Sequence, residues 1–160
     1  MLDDSTRRRF LRHGTALAAL LATAGAPAIA ARRNYDDMLV IDALCFGKDW
    51  GEDVFDALRA ANYSGIIESL DRSDLQTAID ALVTWRERIS ENEDRLLMAL
   101  EASDFERAQN SRRTAVMMNF QNTTMLEGEV ANLDALYALG TRCAQLTYNF
   151  RNLCLLYTSD

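Results

Sequence analysis

The chain has 160 residues, of which 49% are hydrophobic and 26% charged, with 7 Gly and 1 Pro. That composition excludes collagen-like, disordered-tail and disulfide-scaffold classes and leaves room for one domain, or part of a larger one. With 17 Lys+Arg against 24 Asp+Glu the formal net charge is −7, so neither nucleic acid nor an anionic membrane is an expected partner.

Residues 1–30 read as an export signal. Arg7, Arg8, Arg9 and Arg12 give a positive start, Gly14 to Gly25 is a short Ala-rich apolar run, and Ala28-Ile29-Ala30 is a small-residue exit. The run is too short for a membrane span. Thr6 to Arg12 (TRRRFLR) resembles the twin-arginine signal, so the twin-arginine export machinery is an expected partner. The expected location is periplasmic or extracellular. The only histidine, His13, lies in this leader. Residues 31–160 can therefore build no Ser-His-Asp triad, Cys-His dyad or His-ligated zinc site on their own.

After the leader, short apolar runs alternate with amphipathic helices. Met38 to Ile41 is a first strand ending at Asp42, and Asp53 to Ala61 a helix with Val54, Leu58 and Ala61 on one face. Gly65 to Ile67 is a second strand ending at Glu68. Ser73 and Gln76 form a capping box opening a helix with Leu75, Ile79, Leu82, Trp85 and Ile89 on one side. Leu96 to Leu100 is a third strand ending at Glu101. Ser103 and Glu106 cap a short helix reaching about Gln109. Ala115 to Phe120 is a fourth strand ending at Gln121. Val130, Leu133, Leu136 and Tyr137 share a helix face, with Gly140 just past its end. Cys143 to Tyr148 is a fifth strand.

Bounded apolar runs suit parallel strands covered by helices, so the expected class is α/β. Ligands of such folds gather outside the carboxyl ends of the strands. That rule nominates Asp42, Glu68, Glu101, Gln121, Tyr148 and Asn149, with helix capping as the competing role for each. The substrate-binding set taken forward is Asp42, Gln121, Tyr148 and Asn149.

Five strand–helix units fall short of an eight-fold barrel of about 250 residues. The expected domains are a leader over 1–30, a partial barrel over 31–153, and a non-native tail over 154–160 that resembles sequencing-adapter read-through. The chain is expected to be the N-terminal portion of a larger protein, poorly soluble by itself because a part-barrel leaves strand edges open. Cys45 and Cys143 are expected to be small buried apolar residues, with one disulfide or a reactive thiol as the other options. The charged run Arg86 to Arg95 is expected to be a solvated face, and Met98, Met117, Met118 and Met125 core filler. Trp50 has two readings, core packing and pocket lining. The pattern sets no oligomeric state.

In order along the chain, these pieces resemble the renal (membrane) dipeptidase family of metal-dependent amidohydrolases. Leu133 to Asn152 is similar to that family's helix, Leu-Gly-hydrophobic-Arg turn, strand and Leu-Thr-His-Asn exit, followed by an Arg-Asn or similar pair. The match is carried by Leu139-Gly140-Thr141-Arg142 and Leu146-Thr147-Tyr148-Asn149. Thr114 to Leu126 resembles the strand ending in a Glu-Gly pair, and Leu39 to Asp42 the strand leading into Asp-Gly-His-x-Asp. The resemblance implies the N-terminal portion of a (β/α)8 TIM-type barrel, a dipeptide-hydrolysing activity, zinc, and a small peptide-like substrate. It also places Leu44 and Phe46 where the family has its metal-binding His and Asp, Gln121 at the metal-bridging Glu, and Tyr148 at the substrate-side His. Leu and Phe cannot ligate zinc, and a neutral amide cannot carry the bridging charge. Tyr148 can still donate a hydrogen bond to a carbonyl or oxyanion. Two functions are consistent with this. One is a divergent exported dipeptidase-like metallohydrolase, inactive as this fragment. The other is a non-catalytic relative that binds a small peptide or amino-acid-like ligand.

Overall fold

A computed structural model describes residues 34–47, 50–70, 73–148 and 152–154. The leader over 1–30, Asn149 and nearly all of the tail over 154–160 lie outside these residues. The chain divides into two units, Met1–Met38 and Leu39–Asp160. In the first, the described part is a 3-10 turn, Tyr35–Asp37.

The second unit holds β1 (Ile41–Cys45), α1 (Glu52–Ala60), β2 (Gly65–Ser69), α2 (Leu75–Glu91), β3 (Leu96–Met98), α3 (Ser103–Asn110), β4 (Thr114–Phe120), α4 (Asn132–Leu139) and β5 (Thr141–Ala144). Every strand pair is parallel. The order is β1-β2-β4-β3, with β5 also on β4. β3 and β5 divide one edge of β4 between them. Leu96 to Met98 pair with Thr114 to Val116, and Thr141 to Ala144 pair with Met118 to Phe120. Five parallel strands alternating with helices make this the α/β part-barrel anticipated from the apolar runs. Among the described residues no helix is long and apolar enough to cross a membrane.

Side chains alternate across a strand, so neighbouring residues serve opposite faces. Ile66, Val116, Met118 and Phe120 join Phe55 of α1, Leu82, Trp85 and Ile89 of α2, and Leu136 of α4 in the main core. The other face carries Ala115, with Leu97 and Met117 beside it, under Phe105 and Ala108 of α3. Gly65 lies there too: a Cβ at that position would strike the Phe105 ring and come within 3.2 Å of the Ala115 carbonyl oxygen. Glycine is what lets α3 approach the amino end of β2 so closely. α3 spans eight residues and covers only that end. Towards the carboxyl ends no helix of the described residues lies over this face, and Leu44 and Phe46 are exposed by 45% and 60%.

Several local expectations shift. β1 starts at Ile41 and runs through Asp42 to Cys45, with a register irregularity between those two. β5 begins two residues before Cys143 and stops at Ala144. The cap of α2 is Asp74 rather than Ser73: its Oδ1 accepts from the Thr77 N–H at 2.7 Å, while Gln76 donates to Asp80 at 2.8 Å. The cap is the residue just before the first helical one, Leu75, and that residue is Asp74. α3 lacks the anticipated Ser103 cap. Instead Asp104 Oδ2 accepts from the Leu100 and Glu101 N–H groups at 2.7 and 2.9 Å, and Oδ1 pairs with Arg107 at 2.8 Å. Gly140 ends α4 with φ +121°, the left-handed conformation expected of it. Of the predicted α4 face only Leu136 is buried; Val130, Leu133 and Tyr137 are exposed. Cys143 is exposed rather than buried, Cys45 is half-buried, and both are free thiols, as is Cys154. Cys45 and Cys143 have β2 and β4 between them and lie on opposite faces, so no disulfide joins them.

The charged run at the end of α2 is mostly exposed, as expected, with Arg88 and Arg95 half-buried. Arg95 reaches Glu52 at 2.6 Å, and Arg88 lies 4.6 Å over the Trp85 ring. Trp50 packs edge-on against Trp85 and Phe55, at 5.2 and 5.7 Å between ring centres, which is the core-packing option. Met118 and Met125 are buried; Met98 and Met117 pack half-buried against the two cores.

Candidate functional site

The carboxyl ends of β1, β2 and β4 come side by side, and the residues there sort by face. On the helix-covered side, Cys45 stands opposite Glu68. Glu68 is 2% exposed, its Oε1 accepts from the Gly47 N–H at 2.7 Å, and its Oε2 has no partner. Burial pushes its carboxyl up from the usual range, against the lowering effect of the Gly47 N–H, the Cys45 thiol and Arg88. Burial, and next the nearby Glu68 charge, push the Cys45 thiol to about 11, so it is no nucleophile at neutral pH. Arg88 donates to the Gly47 carbonyl at 3.2 Å. This cluster fastens the turn after β1 to α2.

On the opposite side, Ser69 and Asn119 are direct partners across β2 and β4. Both lie two residues beyond the half-buried pair Ile67 and Met117, on the same face. Gln121, the first residue past β4, is buried. Beyond it Asn122 Oδ1 accepts from the Thr124 N–H and hydroxyl at 3.0 and 2.7 Å and from the Asn152 amide. Thr123 and Asn152 both donate to the Leu146 carbonyl, at 2.8 and 2.7 Å. These bonds join the exits of β4 and β5. A shallow cleft of about 260 Å³ opens beside them, lined by Ser73, Thr123, Thr124, Glu127, Gly128, Asn152 and Leu153.

The nominated residues do not converge. Gln121 is at a strand exit as anticipated. Asp42 pairs with Ile66, so it lies inside β1 on the helix-covered face, and its Oδ1 accepts from the Leu44 N–H at 3.0 Å. It serves a local turn, because the strand runs three residues further than the apolar run suggested. Tyr148 is exposed, four residues past β5, and Asn149 is outside the described residues. Glu101 is exposed, and its backbone N–H donates to Asp104 Oδ2. Ser69 and Asn119 were not nominated. The signal for them was the period-2 parity of β2 and β4, visible only once the strand register is known.

Zinc is implied by the resemblance, and the residues at its positions do not fit it. Leu44 and Phe46 offer no donor atoms, and Gln121 offers a neutral amide. Among the described residues no three His, Cys, Asp or Glu side chains gather closely enough to hold a metal ion.

Comparison with known proteins places the chain. Residues 52–155 match the family model described as membrane dipeptidase (peptidase family M19). No curated protein matches. Among solved structures, an amidohydrolase from Pseudomonas aeruginosa is similar, with 22% identity and a TM-score of 0.70 over 74% of this chain and 37% of that one. The probable dipeptidase PvdM from Pseudomonas aeruginosa is 16% identical, with a TM-score of 0.55 over 71% of this chain and 36% of that one. These likenesses show the fold, and the chain spans little more than a third of either structure's length. The family match covers well over half of the chain, α1 through the exit of β5, and with it this chain belongs to the membrane dipeptidase family, peptidase family M19.

Proposed function

We propose that this chain is the N-terminal part of an exported, divergent dipeptidase-like hydrolase, and that it supplies a wall of the peptide pocket without the zinc ligands. Family membership supports a membrane-dipeptidase-like hydrolase. The observation that carries the finer reading is the set of side chains at the family's metal positions: Leu44, Phe46 and Gln121. A part-barrel with those residues has no means to activate water by itself. The twin-arginine-like leader supports export to the periplasm or beyond. The ligand class is a small peptide, with no role for nucleic acid at a net charge of −7.

The second reading, a non-catalytic relative that binds a small peptide or amino-acid-like ligand, draws on the same substitutions. Zinc content and glycyl-dipeptide hydrolysis, measured on this chain and on the product of its complete gene, separate the two. The hydrolase reading expects neither zinc nor turnover for this chain and both for the complete product. Stoichiometric zinc in this chain refutes the pocket-wall role. A metal-free, inert complete product leaves the binding-only relative standing.

A further inference from the structure

Three neutral polar side chains at the carboxyl ends of β2 and β4 are buried, one of them without a partner. Ser69, Asn119 and Gln121 are 8%, 5% and 4% exposed. Ser69 Oγ is shut off from solvent and makes no hydrogen bond. The amides of Asn119 and Gln121 beside it are not sealed off in that way. Buried polar groups are paired in the great majority of cases, and an unmade bond costs more than a made one contributes. The sealed Ser69 Oγ, with two neutral amides beside it, is therefore a specific feature. The other unpartnered atoms, Glu68 Oε2 and Thr141 Oγ1, do not belong to it. Both residues are in register with Met118, on the helix-covered face.

The chemistry of the patch selects its ligand. Each amide offers one acceptor oxygen and two N–H donors, and a hydroxyl offers both functions. None is charged, and the strand positions on this face of β2 and β4 are Gly65, Ile67, Ser69, Ala115, Met117 and Asn119. A free carboxylate or ammonium placed here would lose its hydration with no opposite charge to replace it. A neutral amide, with one acceptor and one donor edge, matches without that cost. Ser69 and Asn119 are in direct register on strands about 4.8 Å apart, so both can reach one such group. Half-buried Ile67 and Met117 would flank it with apolar surface.

We infer that Ser69, Asn119 and Gln121 form a neutral subsite that binds the amide group of a small peptide-like ligand by direct hydrogen bonds, with no metal ion between. The inference deepens the peptide-handling reading and rests on it.

The test titrates the 15N-labelled chain with N-acetylglycinamide, a neutral diamide, with and without EDTA or added zinc. The side-chain NH2 signals of Asn119 and Gln121 should move, with the same affinity in all three conditions. Asn119→Leu and Gln121→Leu should each weaken binding roughly tenfold, the loss of about one hydrogen bond, and Ser69→Ala somewhat less. The inference is overturned if the wild-type signals stay still, if affinity follows zinc, or if variants with wild-type circular dichroism bind as the wild type does. Diamide binding alongside an inert complete gene product supports the subsite and defeats the hydrolase reading. Zinc-dependent hydrolysis with diamide binding unchanged by Asn119→Leu does the reverse.

Discussion

The two faces of the sheet are built from alternate residues of the same strands, yet they differ in completeness. On one, Ile66, Val116, Met118 and Phe120 are sealed by α1, α2 and α4, with aromatic contacts from Trp50, Phe55 and Trp85. On the other, α3 closes only the amino end. At the carboxyl end Ser69, Asn119 and Gln121 lie buried beside exposed Leu44 and Phe46. The first face accounts for the fold, since apolar burial supplies most of its stability. The second face has a smaller core at its amino end, and its carboxyl end carries the polar side chains proposed above as a subsite. A scaffold that is rigid on one side of a strand can vary its chemistry on the other without unfolding.

That contrast can be broken first on the sealed side. Leu82→Ala, at a fully buried position of α2, should cost about 3 kcal/mol in denaturant unfolding. A loss below about 1 kcal/mol would mean that the helix layer is not packed as described. On the other face, where α3 closes the amino end, Gly65→Ala should come next at about 2 kcal/mol, because the new methyl meets the Phe105 ring. Asp104→Ala should cost about 1 kcal/mol by freeing the Leu100 and Glu101 N–H groups.

The same Asp104 carboxyl is held below its usual range although burial opposes it, by those two N–H bonds and by Arg107. Its contribution is therefore present above the unfolded value of about 3.9 and is lost as pH falls through the folded one. The pH dependence of unfolding for Asp104→Asn should be flatter on that acid limb.

Glu68 works with the opposite sign. Burial raises its folded value, so the folded state keeps a proton that the unfolded chain releases at about 4.3. Stability then falls as pH rises through the window above that point. Glu68→Gln keeps an acceptor for the Gly47 N–H and should raise the melting temperature at pH 7 by about 3 °C. An unchanged or lower Tm would show that the carboxylate is paired. The smallest effect belongs to the open face: Phe46→Ser should change stability by less than about 0.5 kcal/mol while reducing self-association, read by light scattering.

Much of the layout was legible in the residue order. The α/β class followed from five bounded apolar runs, α2 from its three-and-four spacing, and the end of α4 from Gly140. These are local signals, set by periodicity and backbone sterics within a few residues. Strand limits were less legible. The β1 ladder continues past the apolar run because β2 offers partners as far as Glu68, and β5 starts early because Met118 pairs with Thr141. The α2 cap shifted by one residue, from Ser73 to Asp74, and at α3 Asp104 binds the N–H groups before the helix while no side chain caps it.

The site divides in the same way. The residue types at Leu44, Phe46 and Gln121 alone show that these positions do not supply a zinc centre, since donor atoms are a property of the side chain. Which polar residues share a face was a matter for the register between β2 and β4, where a slip of one residue would exchange Ser69 for Glu68. Asp42 left the candidate set and Ser69 and Asn119 entered it for that reason: a strand records alternation along itself, and only its neighbour decides which side meets the ligand.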